Sequence, residues 1–312
     1  PMTTADQIVD EPLVVESIDQ VHRFATSTKP SHPLISVIGA SWHAPLEYKV
    51  PLMKRRIISH LYAVSLKRGN ECGLKYGRQF YDFQEGSLLC IGPGQSVVPV
   101  TEPSDLEGEH DGWTLMFHPD LLRRTSLANR MREYTFFGYD SHEALHLSDA
   151  ERTTLTHIIK TIETEYAHID QFSEDVIVSQ LQLFLNYCRR FYGRQFVTRK
   201  NSNQDVVARL EQFLDDYFTS PRPAQDGLPS VSACAKAMGY SADYLSDLLR
   251  KETGKNTREH IHHCLIENAK NRLLGSAATV SEIAFALGFE HPQHFSKLFK
   301  NKTGISPAAY RQ

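Results

Sequence analysis

The sequence predicts an α+β protein in which a β-rich N-terminal half, expected as a barrel or jelly roll, precedes helices and an all-α C-terminal domain. Three observations support this class. Short β-rich runs separated by Gly, Pro, Asn and Asp fill the chain from about residue 34 to residue 118. Helical periodicity replaces them from Pro119 onward, and residues 228–312 contain one pattern twice.

The N-terminal half divides at residue 33. Residues 1–33 are polar and interrupted by Pro12, Pro30 and Pro33, so we expect a peripheral arm. Residues 34–145 are expected to form the β domain. Its strands are predicted at Leu34–Ile38, His60–Leu66, Leu88–Ile91, Ser96–Val100 and Trp113–Phe117.

Residues 146–218 are expected to be helical and to serve as a dimerising or connecting region. Ser148 and Glu151 have capping-box spacing and predict the start of one helix. A further helix is expected at 205–218. The Pro-rich residues 219–227 predict a linker before the last domain.

The segment Glu174–Phe191 is apolar on more than one stripe of a helix. Such a helix is either buried in the core of its own chain or shared between two chains. Leu181 and Leu185 lie one turn apart and are our candidate contacts in a homodimer. Core packing within one chain is the alternative, and the sequence leaves both open.

Residues 228–312 repeat with an offset of 50 residues (295 − 245), because Leu245 matches Phe295 and the offset holds through to Gly254 and Gly304. Each copy predicts a short helix, a glycine-bearing turn and a second helix, which is the helix-turn-helix pattern. A long helix is expected to join the copies, from about Thr257 to Leu274. The expected caps and turn glycines are Ser230, Gly239, Ser241, Thr279, Glu282 and Gly288.

The second helix of each copy has an apolar face and a polar face. The apolar faces carry Leu245, Leu248 and Leu249 in the first copy and Phe295, Leu298 and Phe299 in the second. The polar faces carry Asp243, Ser246, Asp247 and Arg250 in the first copy and Gln293, His294, Ser296, Lys297 and Lys300 in the second. Such side chains can contact base edges in a DNA major groove. A solvated helix face is the alternative for each residue, but the duplicated context favours DNA contact for the pair of helices.

A long motif closes the chain. It comprises Ser281–Ala284, Leu287–Phe289, Phe295–Lys300, Thr303–Pro307 and Tyr310–Arg311. With this motif, residues 228–312 resemble the DNA-binding domain of the AraC/XylS family of bacterial transcription regulators. The resemblance implies two helix-turn-helix units joined by a long helix. The chain departs from the family at Leu265, where Arg is frequent, and at Asp243 and Asp247, where basic or polar residues are common.

Charge is distributed unevenly along the chain. The formal net charge is −3, yet residues 228–312 hold 11 Lys and Arg against 7 Asp and Glu, a net charge of +4. Residues 1–227 therefore carry −7. A basic end on an acidic body is expected of a protein with a local nucleic-acid face.

A second, shorter resemblance lies in the β-rich half. The residues Gly73–Gln79, Phe83, Glu85–Leu89 and Pro93–Gly94 resemble the cupin-like sensor domain that many members of this family carry. Our candidates for a small-effector pocket are Tyr62, Tyr76, Arg78, Gln79, Tyr81 and Trp113. Ordinary barrel and surface roles are the alternative for each. Metal-binding cupins carry a His-x-His pair, which the sequence lacks between residues 34 and 118, so we expect no metal and no other cofactor.

The two resemblances imply a transcription regulator with no catalytic residues, and among regulators they favour an activator. Its expected partners are promoter DNA, a small-molecule effector, RNA polymerase and a second copy of the chain. Five cysteines without a Cys-x-x-Cys pair, and the lack of an apolar run long enough to span a membrane, predict a cytoplasmic location. We also expect the fragment 220–312 to fold alone and bind DNA.

Two alternatives remain at this stage. One is an enzyme, a cupin oxygenase or isomerase with a DNA-binding tail, which would need a metal triad that the sequence does not offer. The other is a regulator whose N-terminal domain only oligomerises and binds no ligand. The sequence does not separate activation from repression, and it identifies neither the effector nor the operator.

Overall fold

The computed structural model describes residues 9–26, 28–39, 55–67, 74–75, 86–99, 112–140, 143–198 and 200–312. The chain divides into two compact units, Pro1–Gln195 and Phe196–Gln312. Strands and helices share the first unit, and the elements described in the second unit are helices. The α+β class and the helical C-terminal region expected from the sequence are confirmed.

The first unit contains two β-sheets. Their strands are β1 (Val9–Val15), β2 (Ile35–Gly39), β3 (Arg55–Ser59), β4 (Tyr62–Lys67), β5 (Leu74–Lys75), β6 (Ser87–Ile91), β7 (Ser96–Pro99), β8 (Gly112–Phe117) and β9 (Leu145–His146). One sheet has the order β1-β3-β7-β5 and the other the order β2-β8-β4-β6-β9. The described pairings are antiparallel except that of β1 with β3.

The five strands expected from the sequence are present as β2, β4, β6, β7 and β8. Both sheets contribute to one apolar cluster, because Ile57 of β3 and Met116 of β8 pack against the buried Val15 and Leu61. The two sheets therefore share a core. Their closure into a cupin barrel stays a prediction.

The expected N-terminal arm is partly built into the first unit. Its strand β1 pairs with β3, and Ser17 caps a helix, α1 (Ile18–Ala25), that starts with the fully buried Ile18. Pro12, which argued against a strand, lies at a register shift of β1, and β1 is the edge strand of its sheet. A missing N–H donor is tolerated there because edge strands and bulges leave ladder positions unpaired. The peripheral arm expected for residues 1–33 thus contributes to the core from β1 onward.

The other described helices of the first unit come after β8. They are α2 (Ser126–Arg130), α3 (Asp149–Ala167) and α4 (Ser173–Thr198), with short 3-10 helices at Pro119–Leu122, Met131–Glu133 and Thr135–Gly138. The capping box expected from Ser148 and Glu151 opens α3. Trp113 of β8 joins both long helices to the five-stranded sheet, since its Nε1 donates to Thr156 Oγ1 at 3.1 Å and its ring meets Phe184 of α4 edge to face.

The helix α4 buries one apolar stripe and exposes another. The buried stripe comprises Ile177, Leu181, Phe184, Leu185, Cys188 and Phe191. Leu181 and Leu185, our candidate dimer contacts, are both 0% exposed in the core of their own unit, so the structure favours core packing for these two residues. The exposed apolar side chains lie elsewhere, at Val176 and Leu183 of α4 and at Phe172 just before it.

The second unit consists of eight described helices. They are α5 (Lys200–Thr219), α6 (Arg222–Asp226), α7 (Val231–Met238), α8 (Ala242–Thr253), α9 (Thr257–Gly275), α10 (Val280–Ala286), α11 (Pro292–Thr303) and α12 (Pro307–Arg311). The sequence placed the first of them ahead of a linker, outside the last domain. The structure assigns α5 to the second unit, where it packs on α7, α8 and α9. Its buried side chains are Val206, Leu210, Leu214, Tyr217 and Phe218.

The Pro-rich segment after α5 is an ordered connection in the structure. It forms α6, whose Pro223 is buried, and the Tyr217 hydroxyl donates to the Gly227 carbonyl at 2.9 Å. This segment packs on the turn at Gly288, which has φ +92°. A Cβ at Gly288 would lie 2.8 Å from both the Pro223 oxygen and the Gly227 carbonyl carbon. Only glycine allows the two backbones to approach this closely.

Candidate nucleic-acid interface

The first helix-turn-helix consists of α7 and α8. Ser230 and Ser241 cap the two helices, each accepting a hydrogen bond from the backbone N–H three residues later. Gly239 ends α7 in the left-handed region with φ +82°, and Gly254 ends α8 at φ +77°. The caps and turn residues expected from the sequence are therefore in place, because each satisfies backbone groups that a helix end leaves unpaired.

The second helix-turn-helix consists of α10 and α11. Thr279 and Glu282 form the expected capping box, and the hydrogen bonds from Thr279 lower the pKa of the Glu282 carboxyl. Gly288 makes the turn, Pro292 occupies the first turn of α11, and Gly304 ends that helix at φ +86°. The long helix α9 joins the two helix-turn-helix motifs as expected, and it starts at a capping box between Asn256 and Glu259.

The apolar faces of α8 and α11 form the core that fixes these helices. Leu245, Leu248 and Leu249 are fully buried, as are Phe295 and Phe299. Burying an apolar side chain of this size contributes about 1.5–3 kcal/mol. Because the apolar residues recur at helical spacing, their burial leaves the opposite face of each helix toward solvent.

The exposed face of α11 is basic and polar. Gln293, His294, Lys297 and Lys300 are exposed, and Ser296 is half-buried. The His294 ring meets His291 edge to face at 5.4 Å between centroids. All five candidate residues on α11 thus lie where their polar groups are accessible or partly accessible.

The polar face of α8 is already engaged in contacts within the protein. The Ser246 hydroxyl lies 3.0 Å from Thr257 Oγ1, and the Arg250 guanidinium lies 3.3 Å from Asp247 Oδ1. The pKa of the Asp243 carboxyl is raised, first because neighbouring protein atoms remove part of its hydration and second because Asp247 carries a negative charge. The two carboxylates therefore repel each other before any phosphate approaches.

The offset of 50 residues places the two faces in correspondence. Ser246 corresponds to Ser296, and Arg250 corresponds to Lys300, so these positions keep their chemical type. Asp247, by contrast, corresponds to Lys297, and the charge there is reversed. The two second helices present the same scaffold with different electrostatics.

This arrangement is that of a known domain type. A family model described as a helix-turn-helix domain matches residues 234–312. Residues 234–312 are an AraC-type helix-turn-helix domain.

Relatives of the chain carry the same kind of description. YijO of Escherichia coli strain K12, named an uncharacterized HTH-type transcriptional regulator, is 30% identical over 143 residues, which are 46% of this chain and 47% of that protein. YesN of Bacillus subtilis strain 168, named an uncharacterized transcriptional regulatory protein, is 34% identical over 110 residues, 34% of this chain and 28% of that protein. The chain thus spans about half or less of the length of these curated relatives.

Among solved structures, the DNA-binding domain of AdpA in complex with a target DNA is 26% identical and covers 35% of this chain and 88% of that one, with a TM-score of 0.28. The matched domain is a helix-turn-helix domain, and both of these relatives are named transcriptional regulators.

Two cations of the AraC-type domain act on one histidine, His262 of α9. Burial lowers the pKa of His262, the positive charges of Lys302 and Arg258 lower it further, and the negative charge of Glu259 raises it. Sequence analysis did not group Lys302 with Arg258. They come from α9 and the last turn of α11, so no local sequence pattern connects them. Cations near α11 can contact the DNA phosphates that flank the bases facing that helix. Leu265, the departure from the family pattern, is fully buried in α9 and serves the core.

The candidate effector residues of the first unit are only partly covered by the structure. Tyr76, Arg78, Gln79 and Tyr81 lie outside the described residues. Tyr62 pairs with Phe117, and Leu66 pairs with Trp113, so Tyr62 and Trp113 lie at opposite ends of the β4–β8 pair, roughly 13 Å apart. The structure therefore does not bring Tyr62 and Trp113 into one pocket.

These two aromatic residues also have different surroundings. Tyr62 stacks on Phe117 with 4.9 Å between ring centroids and meets Phe137 edge to face at 4.8 Å. Burial raises the pKa of the Tyr62 hydroxyl. Tyr62 belongs to an aromatic cluster of the core, whereas Trp113 faces α3.

Among the described residues, no group of three or more His, Cys, Asp or Glu side chains is arranged to hold a metal ion. None of the helices described is both long and apolar enough to cross a bilayer.

Proposed function

We propose that the protein is a sequence-specific, DNA-binding transcription regulator that reads a promoter with α8 and α11. The observation that carries this proposal is the pair of second helices, each fixed by a buried apolar face and each turning polar side chains outward within an AraC-type domain. Two such helices in one domain can enter successive major grooves, roughly 34 Å apart. The cations of α11 and its neighbours supply salt-dependent affinity, and base contacts supply sequence preference.

The finer role rests on the family resemblance. It favours an activator that works in the cytoplasm and contacts RNA polymerase. It also favours a first unit that binds a small effector, dimerises the protein, or does both. A ligand-dependent rise in the unfolding temperature would distinguish an effector-binding first unit from one that only oligomerises.

The two second helices are expected to contribute unequally to DNA binding. Lys297→Ala should weaken specific binding by about 1–3 kcal/mol if Lys297 contacts a base. Asp247→Ala removes a carboxylate that repels phosphates and frees Arg250, so it should raise affinity for non-specific DNA and relax specificity in one half of the site. Titrations of both variants on specific and scrambled DNA at matched salt measure these effects.

The matched control is Lys236→Ala, because Lys236 is exposed on α7, outside the two second helices. Its effect on specific binding should be small and should vanish at higher salt. The ranking of the two helices is wrong if Lys297→Ala is silent and Asp247→Ala abolishes specific binding.

We propose that the homodimer forms through the exposed face of α4 and not through Leu181 and Leu185. Phe172 and Leu183 are 61% and 44% exposed, and Val176 lies between them at helical spacing. A second copy would cover this stripe along α4, which is 26 residues long.

A pair of neighbouring leucines tests the dimer. Leu183→Asp should shift sedimentation toward the monomer and leave the unfolding temperature nearly unchanged, because its side chain lies outside the core. Leu185→Asp should unfold the first unit, since a charge would be buried without a partner. If Leu183→Asp leaves a dimer intact, the second copy binds elsewhere.

A further inference from the structure

A cleft of about 300 Å³ lies in the first unit, where α3 passes over β4 and β8. Leu66 and Trp113 line its strand side, and Arg152, Thr156, His157 and Lys160 line its helix side. Its volume is at the lower end of the range for small-molecule pockets. This cleft does not contain Tyr62.

The helix side of the cleft presents a row of donors. Arg152, Thr156 and Lys160 are four residues apart in turn, so they lie along one face of α3, and His157 is adjacent to that row. The guanidinium, imidazole and ammonium groups all carry N–H donors. A bound group with several acceptor oxygens would meet donors along the whole row.

The charge of this row is only partly compensated. Arg152 forms an ion pair with Asp149 at 3.0 Å, and because the Asp149 side chain is 92% exposed, a bound anion can compete for the guanidinium at little cost. Lys160 forms no ion pair with any residue that the structure describes. The cleft is therefore cationic, and an anion would gain charge-assisted hydrogen bonds from it.

The strand side is apolar and rigid. Leu66 and Trp113 are buried, with 4% and 7% of their surface exposed. The indole orientation is fixed by the Nε1 hydrogen bond to Thr156 and by the edge-to-face contact with Phe184. This wall suits a planar or aliphatic group, whereas an inorganic anion would leave it unused.

We propose that this cleft binds a small organic carboxylate, with the carboxylate on Arg152, His157 and Lys160 and the apolar body against Trp113 and Leu66. The role of this ligand as an effector rests on the proposed regulatory function, whereas its binding to the cleft does not. Ligand binding is measured without DNA, so failure of the site and failure of DNA binding are separate results.

The fluorescence of Trp113 measures ligand binding to the cleft. The sequence has two tryptophans, and Trp42→Phe leaves Trp113 as the single indole fluorophore of the 312-residue chain. Benzoate is expected to change this fluorescence saturably. Benzamide, its neutral counterpart, and inorganic phosphate, an anion without an apolar body, should bind about tenfold more weakly or worse.

Substitutions in the row of donors on α3 test which side chains bind the carboxylate. Lys160 is exposed, so Lys160→Gln should leave the fold intact and weaken benzoate binding about tenfold. The double variant with Arg152→Gln should weaken benzoate binding further. Arg190→Gln, an exposed cation on α4, is the matched control and should have no effect. The proposal is overturned by equal binding of benzoate and benzamide, by phosphate binding as tightly as benzoate, by benzoate binding that Lys160→Gln leaves unchanged, or by the absence of a saturable signal.

Discussion

Gly288→Ala is expected to lower the unfolding free energy of the second unit by about 2–5 kcal/mol. The added Cβ would meet the Pro223 oxygen and the Gly227 carbonyl carbon at 2.8 Å, and both are backbone atoms that cannot rotate away. The φ of +92° adds strain that any L side chain would feel. Urea or thermal unfolding of the 312-residue chain measures the loss.

Gly239→Ala is the matched control, because Gly239 occupies the turn of the first helix-turn-helix and has φ +82°. A Cβ there meets nothing within 4 Å, so only the backbone strain of about 1–2 kcal/mol is expected. The difference between the two variants isolates the contact of the Gly288 turn with α6. Equal losses would mean that this contact is absent in solution.

Removing α5 is expected to unfold the AraC-type domain. The fragment 196–312 should unfold cooperatively, whereas the fragment 220–312 should lack a cooperative transition. Five side chains of α5 are buried against α7, α8 and α9, and at about 1.5–3 kcal/mol each they match the whole stability of a typical domain, about 5–15 kcal/mol. Circular dichroism during thermal unfolding of the two fragments makes the comparison. This expectation replaces the sequence-based one that residues 220–312 fold alone.

Truncation also loses two hydrogen bonds that join α5 to the domain. Arg272 donates to the Phe218 carbonyl at 2.7 Å, and Tyr217 donates to the Gly227 carbonyl. A point variant avoids the truncation: Leu210→Ala should lower stability by about 2–5 kcal/mol, and the exposed neighbour Glu211→Ala should change it little. Identical unfolding of 220–312 and 196–312 would show that α5 is dispensable.

The elements of the C-terminal domain follow from local sequence because their signals are local. A serine or threonine that caps a helix, a glycine that accepts a left-handed turn and an apolar repeat each act within a few residues. For this reason the caps and turn glycines of the two helix-turn-helix units, and most of the buried apolar faces of α8 and α11, could be predicted from the chain alone. The strands β2, β4, β6, β7 and β8 followed in the same way from β-rich runs between turn residues.

Interactions between distant residues could not be predicted in this way. Pro12 argued against a strand, and only the pairing of β1 with β3 at a sheet edge shows why a proline fits there. The two apolar stripes of α4 looked equivalent in sequence, and packing against the rest of the first unit decided that Leu185 is buried and Leu183 exposed. The effector candidates Tyr62 and Trp113 were grouped by chemistry, but strand register separates them.

By itself, the sequence determined that the chain ends in two helix-turn-helix units with polar second helices, because caps, turn glycines and apolar periodicity are encoded over short spans. The tertiary structure alone decided that α5 belongs to the C-terminal unit and that the Gly288 turn packs on α6. It also decided that Arg152 and Lys160 of α3 line one cleft with Trp113 of β8. Each of these depends on atoms that are far apart in the chain and become neighbours only when apolar surfaces are buried together, so no local pattern records them.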